Sequence, residues 1–292
     1  MKREWVGPLY LALAASIWGG MYVVSKIVLM VVPPLTLVWV RYVVALLALA
    51  LVGLLSGQSW RVRWRDLPWV VTVGVVGYVV SIGAQFYGTK LSTAQLGSVI
   101  TAGTPAFMAL FAYPLLKERL TWRKGISLGL ATSGVLLVVG VGTRSLTPAY
   151  RLGGWVLVLA AVTWALMSVM VKRVPGNYSQ WLVTTLAIFV ATLLLTPAAL
   201  YQWPGLQVSQ LIRPEIWGGI LYVGVISTAG AFYFWNEGLR RVPAGSAGVY
   251  FFLQPVVGTL LGWLVLGEQV GWNFWIGGLL VLGGVALVLR ET

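Results

Sequence analysis

The stretch ASIWGGMYVVSK, residues 15–26, returns as AVTWALMSVMVK, residues 161–172, so that Trp18 falls on Trp164 at an offset of 146. A second stretch, from Pro105 to Trp122, returns from Pro255 to Trp272 at an offset of 150. The chain of 292 residues is therefore written twice with one order of landmarks, and it divides at 1–143 and 144–292. Each copy holds about five apolar spans on a hydropathy reading. An odd number turns the second copy upside down in a bilayer, and inverted pairs of helical bundles are a common ground plan of secondary transporters.

Composition points to the same class. Hydrophobic residues make up 59% of the chain and charged residues only 9%, too little polar surface to solvate a globular fold of this length. The reading is an all-α membrane protein. Cys and His are both absent, which removes disulfides, thiol chemistry, imidazole acid–base work and the commonest metal ligands; no cofactor and no metal site are expected. The formal charge of +13 lies between apolar spans, so anionic lipid headgroups are the expected partners and nucleic acid is not. The N-terminal MKREW runs straight into an apolar segment without a small-residue cleavage site, so the first helix reads as retained.

About 20 helical residues cross a bilayer, and that ruler gives ten spans: roughly 6–29, 34–55, 68–88, 93–116, 122–141, 152–171, 179–200, 215–237, 244–266 and 272–289. With the N-terminus in the cytoplasm, 14 of the 20 basic residues fall inside, including Arg61, Arg63, Arg65, Lys172, Arg173, Arg240 and Arg241. The positive-inside rule then favours both termini in the cytoplasm.

Pro105 and Pro255 sit near the centres of spans four and nine. Each removes an amide donor, leaving the carbonyls of Thr101 and Phe251 without their helical partners. Two readings stand: packed kinks with no ligand, or interrupted helices that mark a midplane site and act as hinges. Helical spacing places Trp18, Tyr22 and Ser25 on one stripe, Tyr78, Ser81 and Gln85 on a second, and Ser98, Thr101 and Pro105 on a third. Trp164 and Ser168 repeat the first stripe, while Asn236 and Gln254 add amides. Such groups are costly against lipid, so they face a cavity or one another.

Arg41 is the basic residue well inside a span. It reads either as an anchor for an anionic group such as a substrate carboxylate, or as a side chain that snorkels outward or binds helix-end carbonyls. Its counterpart at the first offset, position 187, is Ala. All seven acidic residues lie at span ends or outside, so strict proton coupling lacks an obvious carrier and downhill flux or exchange is favoured. Gly125 and Gly129 in span five and the glycines of span ten permit close backbone contact, either between those spans or across a dimer face, leaving monomer and homodimer both open.

The Trp-centred patterns of spans one and six, Arg41, the A-x₁₀-P stretches ending at Pro105 and Pro255, and Glu118 and Glu268 closing spans four and nine resemble the drug/metabolite transporter superfamily, and within it the EamA-type branch. The resemblance covers nearly the whole chain in order. It implies two inverted five-helix repeats around a central cavity, in a bacterial inner membrane. It also implies an exporter of amino acids or similar metabolites that works by alternating access. Carried onto this sequence, the cavity would be lined by Trp18, Tyr22, Tyr78, Gln85, Thr101, Trp164, Asn236 and Gln254, with Pro105 and Pro255 as hinges. Ser168 departs from the pattern, since a symmetric copy of Tyr22 would supply an aromatic there. A multidrug or organic-cation exporter is the alternative within transport, although no midplane carboxylate is present to bind a cation. An intramembrane enzyme would need a nucleophile with a base, or a metal set, and the scattered carboxylates offer neither. A non-transporting scaffold would have no cavity.

Overall fold

The computed structural model describes residues 5–91, 100–101, 103–118, 121–139, 148–206, 209, 211–266 and 272–289. Among them the secondary structure is entirely helical. Helices α1 (Val6–Val28) and α2 (Pro34–Leu55) are followed by α3 (Leu67–Thr72), a π-helical stretch Val73–Ser81 and α4 (Ile82–Leu91). Then come α5 (Thr104–Leu116), α6 (Trp122–Val139), α7 (Pro148–Met170) and α8 (Gln180–Gln202). The remainder is α9 (Pro214–Leu221), a second π-helical stretch Tyr222–Gly230, α10 (Ala231–Arg241), α11 (Ala244–Ala247), a 3₁₀ stretch Gly248–Phe252, α12 (Leu253–Leu266) and α13 (Trp272–Leu289).

Among the described residues, six stretches are long and apolar enough to cross a membrane: Val6–Ser25, Pro34–Leu55, Leu67–Leu91, Arg151–Arg173, Gln180–Gly205 and Pro214–Arg241. Thr104–Leu116 and Trp275–Gly284 are shorter apolar helices. Large apolar side chains such as Leu47, Leu55, Leu193 and Leu279 point outward, as an apolar solvent requires.

Helices α2 and α8 run antiparallel along their length. The Leu35 amide donates to Gln202 Oε1 at 2.9 Å near one end, Trp39 Nε1 to Thr196 Oγ1 at 3.0 Å, and Trp181 Nε1 to the Leu49 carbonyl at 2.9 Å near the other. Other contacts come in reciprocal pairs. Helix α1 packs on α10 and α12, and α7 packs on α4 and α5; α2 lies on the second π stretch, and α8 on the first. Glycines permit the closest of these approaches. A Cβ at Gly88 would lie 2.8 Å from Leu157 Cγ, and one at Gly238 would lie 2.6 Å from Leu11 Cγ. In the π stretches, a Cβ at Gly74 would lie 2.7 Å from the Ala187 carbonyl, and one at Gly224 would lie 3.2 Å from the Arg41 carbonyl.

Three expectations for individual spans need correction. The third span is not uniformly α-helical, because Val73–Ser81 winds as a π-helix; Tyr222–Gly230 does the same in the eighth. The ninth region is three pieces rather than one helix, and its start, AGSAG, has weak helical propensity. Pro105 and Pro255 are not mid-helix kinks. Pro105 lies in the first turn of α5, and Pro255 is the third residue of α12, positions where a missing amide costs little. Ser98 and Glu268 lie outside the described residues.

Charged groups concentrate at one end of the bundle. There Glu118 accepts from the amides of Ala244 (2.8 Å) and Gly245 (3.0 Å), Lys172 Nζ donates to the Val242 carbonyl at 2.7 Å, and Glu237 pairs with Arg240 and Arg241. In the loop before α3, Asp66 accepts from the Tyr178 hydroxyl at 2.5 Å and from Arg63 Nε at 3.0 Å.

Candidate functional site

The repeated tryptophans that mark the duplication in the sequence meet in space. The Trp18 and Trp164 rings lie edge to face with centroids 5.3 Å apart, both buried. Beside them is a narrow cavity of about 30 Å³. Helix α1 supplies Trp18 and Met21, α2 supplies Arg41, and the third span supplies Ser81, Ile82 and Gln85. Thr101 and Thr104 face it beside Ala160, Ala161 and Trp164 of α7, and Phe232, Phe251 and Gln254 complete it from the second half.

The wall toward the charged end is aromatic. Trp235 and Phe251 approach to 4.6 Å, Trp18 and Trp235 to 5.5 Å, and Trp164 and Phe232 to 5.6 Å. Trp235 is fully buried, with its Nε1 donating to Ser168 Oγ at 3.2 Å. Toward the opposite end the space steps outward. Met21 and Gln85 are shared with a second cavity of about 40 Å³, which also touches Tyr22 and Ser25. That cavity shares Leu29 and Thr89 with a wider one of about 530 Å³ at Pro33, Pro34 and Gly205.

The sequence-derived residues divide into two layers. Trp18, Gln85, Thr101, Trp164, Gln254 and Arg41 line the central cavity. Tyr22 stands at the step outward, where its hydroxyl accepts from Gln85 Nε2 at 2.9 Å. Tyr78 and Asn236 stand behind the wall: Asn236 Nδ2 donates to the Tyr78 hydroxyl and to Thr184 Oγ1, each at 3.0 Å, and the Tyr78 ring stacks on Phe232 at 4.5 Å. The helical spacing that aligned Tyr78 with Gln85 does not hold across Val73–Ser81, because i→i+5 winding shifts the phase of the faces. Pro105 underlies the site through Gly248, whose Cβ, if present, would lie 2.9 Å from Pro105 Cα.

Arg41 is fully buried. It neither snorkels outward nor binds helix-end carbonyls. Its Nε donates to Thr228 Oγ1 at 2.7 Å, and that hydroxyl donates in turn to the Val223 carbonyl five residues back in the π stretch. Both terminal nitrogens of the guanidinium have no hydrogen-bond partner, and its carbon lies 5.5 Å from the Phe86 ring and 5.7 Å from that of Phe232. Trp164 Nε1 and Thr104 Oγ1 are also buried in the same wall without partners. Arginine and indole nitrogens only donate, so the cavity offers more free donors than acceptors.

Phe232, Phe251 and Met21 escape a sequence reading because apolar side chains in apolar runs carry no contrast. Thr228 had a signal in the Ser227-Thr228 pair of the eighth span, but nothing in the sequence joins it to Arg41, 187 residues away. Among the described residues no cluster of His, Cys, Asp or Glu could hold a metal ion.

The model of the EamA-like transporter family matches the chain twice, over residues 5–140 and 151–290. The chain belongs to the EamA-like transporter family. It is 25% identical over 290 residues to the uncharacterized transporter YetK of Bacillus subtilis (strain 168), covering 98% of this chain and 87% of that one. It is 27% identical over 252 residues to a protein of Streptantibioticus cattleyicolor named "Probable terminal-alkyne amino-acid exporter", covering 86% of this chain and 82% of the relative. Among solved structures, a crystal structure at 22% identity superposes with a TM-score of 0.78 over 96% of this chain and 95% of its own, which establishes a shared fold. As a member of this family the chain is a multi-pass membrane transporter with a small-molecule cargo.

Proposed function

We propose that the protein is a secondary exporter of amino acids or related small carboxylate-bearing metabolites, working by alternating access in a bacterial inner membrane. On this reading ten spans form two inverted five-helix repeats, with both termini in the cytoplasm and the charged end facing inward. Antiparallel α2 and α8, and the reciprocal packing of α1 with α10 and α7 with α4, support the inverted pairing. The stepped space toward Pro33 and Gly205, set against the aromatic wall toward the charged end, supports a site open to one side at a time. The turn at Gly103 before Pro105 and the 3₁₀ stretch Gly248–Phe252 before Pro255 put irregular winding beside the cavity, where broken helices in transporters let halves rock.

The observation that carries the cargo assignment is Arg41. A guanidinium held by Thr228 on one edge leaves its other two nitrogens without partners in a residue that lines the cavity, and such a pair can take a carboxylate in two parallel hydrogen bonds. Aromatic faces around it suit the apolar part of a small solute. An organic-cation exporter fits less well, because a cation would meet Arg41 with no carboxylate nearby among the described residues.

Counterflow of radiolabelled neutral amino acids into proteoliposomes of purified protein tests the proposal. Uptake above protein-free liposomes, reduced severalfold by Arg41→Gln, is expected. Counterflow unaffected by that substitution would remove Arg41 from the cargo site.

A further inference from the structure

The cavity is electrically unbalanced. Arg41 brings one full positive charge into a fully buried position, and its two terminal nitrogens, Trp164 Nε1 and Thr104 Oγ1 all lack partners. The chain has seven carboxylates in all. Four are described, and each is engaged elsewhere: Asp66 with Tyr178 and Arg63, Glu118 with the amides of Ala244 and Gly245, Glu215 with Arg213, and Glu237 with Arg240 and Arg241. The other three, Glu4, Glu268 and Glu291, lie near the chain ends or beyond α12, outside the described residues. An unpaired buried charge is one of the costliest features a fold can hold, and a partner that neutralises it recovers much of that cost.

From this imbalance we infer that the preferred cargo is a net monoanion, a carboxylate on a compact apolar or aromatic body, rather than a zwitterion. The inference rests on the carboxylate-anchor reading of the site and narrows it. A monoanion closes the charge balance at Arg41 and accepts from the free donors. A zwitterion supplies the same carboxylate but adds an ammonium within the same small cavity, where no described carboxylate receives it. The aromatic walls offset part of that cost by cation–π attraction, yet Phe86 and Phe232 already face the Arg41 cation at 5.5 and 5.7 Å.

Net anionic cargo also removes the need for a titratable carrier in the membrane. A cell interior that is electrically negative expels anions, and a potential of about 60 mV sustains a tenfold concentration ratio for one elementary charge. Net export of a monoanion therefore runs on the membrane potential with no proton bound by the protein.

The test is a charge series on one carbon skeleton at pH 6.0, where the amino group of an amino-acid amide is protonated: phenylpyruvate (−1), phenylalanine (0) and phenylalaninamide (+1), in proteoliposomes of the full chain with protein-free vesicles subtracted. Phenylpyruvate is expected to move at least tenfold faster than phenylalanine, and the amide not at all. A potassium diffusion potential of about 60 mV, negative inside, is expected to drive the internal phenylpyruvate concentration toward one tenth of the external one. Arg41→Gln should abolish the preference for the anion, with Arg41→Lys restoring part of it. Phenylalanine moving as fast as phenylpyruvate, or anion flux indifferent to the potential, overturns the inference and leaves a carboxylate exporter standing. Flux of the amide alone, or of none of the three, overturns the carboxylate-anchor reading along with it. If Arg41→Gln does not fold, the charge series on the parent protein decides by itself.

Discussion

Arg41 on α2 and Ala187 on α8 occupy matching places in the two copies, and their surroundings show what duplication keeps and what it lets go. The backbone frame is kept: Gly224 closes on the carbonyl of Arg41, and Gly74 closes on the carbonyl of Ala187. The side chains are not kept. Arg41 reaches across to Thr228 and leaves two nitrogens without partners, whereas the methyl group of Ala187 is simply buried. The lesson is that close backbone approach is kept in both copies, while the buried charge at the cavity sits on one of them. On the proposed function, a single anchor suits one cargo molecule, since it can offer its carboxylate to only one partner.

The frame half of that comparison is broken most severely at the glycine contacts. Gly88→Val and Gly238→Val each force a side chain into Leu157 or Leu11, and each is expected to destabilise the fold by about 1–3 kcal/mol or more. Thermal unfolding in detergent, followed by tryptophan fluorescence, should show similar losses for the two. A large loss at one glycine with none at the other would mean that the halves do not pack reciprocally.

A smaller, pH-dependent difference lies between the two bundle ends. Residue Asp66 precedes α3 and Arg213 precedes α9, so matching positions carry opposite charge. The Tyr178 hydrogen bond, aided by Arg63, holds the Asp66 carboxyl below the usual carboxylate range. A depressed folded pKa contributes stability above the unfolded value, and that contribution fades as pH falls through the folded one. Asp66→Asn is therefore expected to lower the unfolding temperature slightly at neutral pH and to make no difference at strongly acid pH. An Asn variant that stays less stable in acid by the same margin would show that the contact acts through shape, not ionisation.

Much of the frame could be read from the sequence because membrane spans and duplication are written in composition and order. The landmarks Trp18 and Trp164, found by their offset, meet at the cavity, and Gln85, Thr101 and Gln254 stood out as polar groups in apolar runs. Tyr78 and Asn236 stood out for the same reason, yet they bond to each other behind the wall. Polarity in a span marks a need for a partner without saying which partner. The π stretches were illegible because their winding departs from the helical period on which face assignment depends, and Phe232 and Phe251 because they look like any lipid-facing residue. The sequence leaves two readings open for Arg41, and it could not show the Thr228 contact or the full burial that rules out snorkelling.

Accessibility of the cavity tests the central claim most directly, and the absence of native cysteine makes a single introduced thiol unambiguous. Ala161 lines the cavity and is small. In Ala161→Cys, a membrane-impermeant thiol reagent is expected to reach the site from either face of the membrane, with carboxylate cargo slowing both reactions. Modification from one face alone, whatever cargo is present, would contradict alternating access around this site.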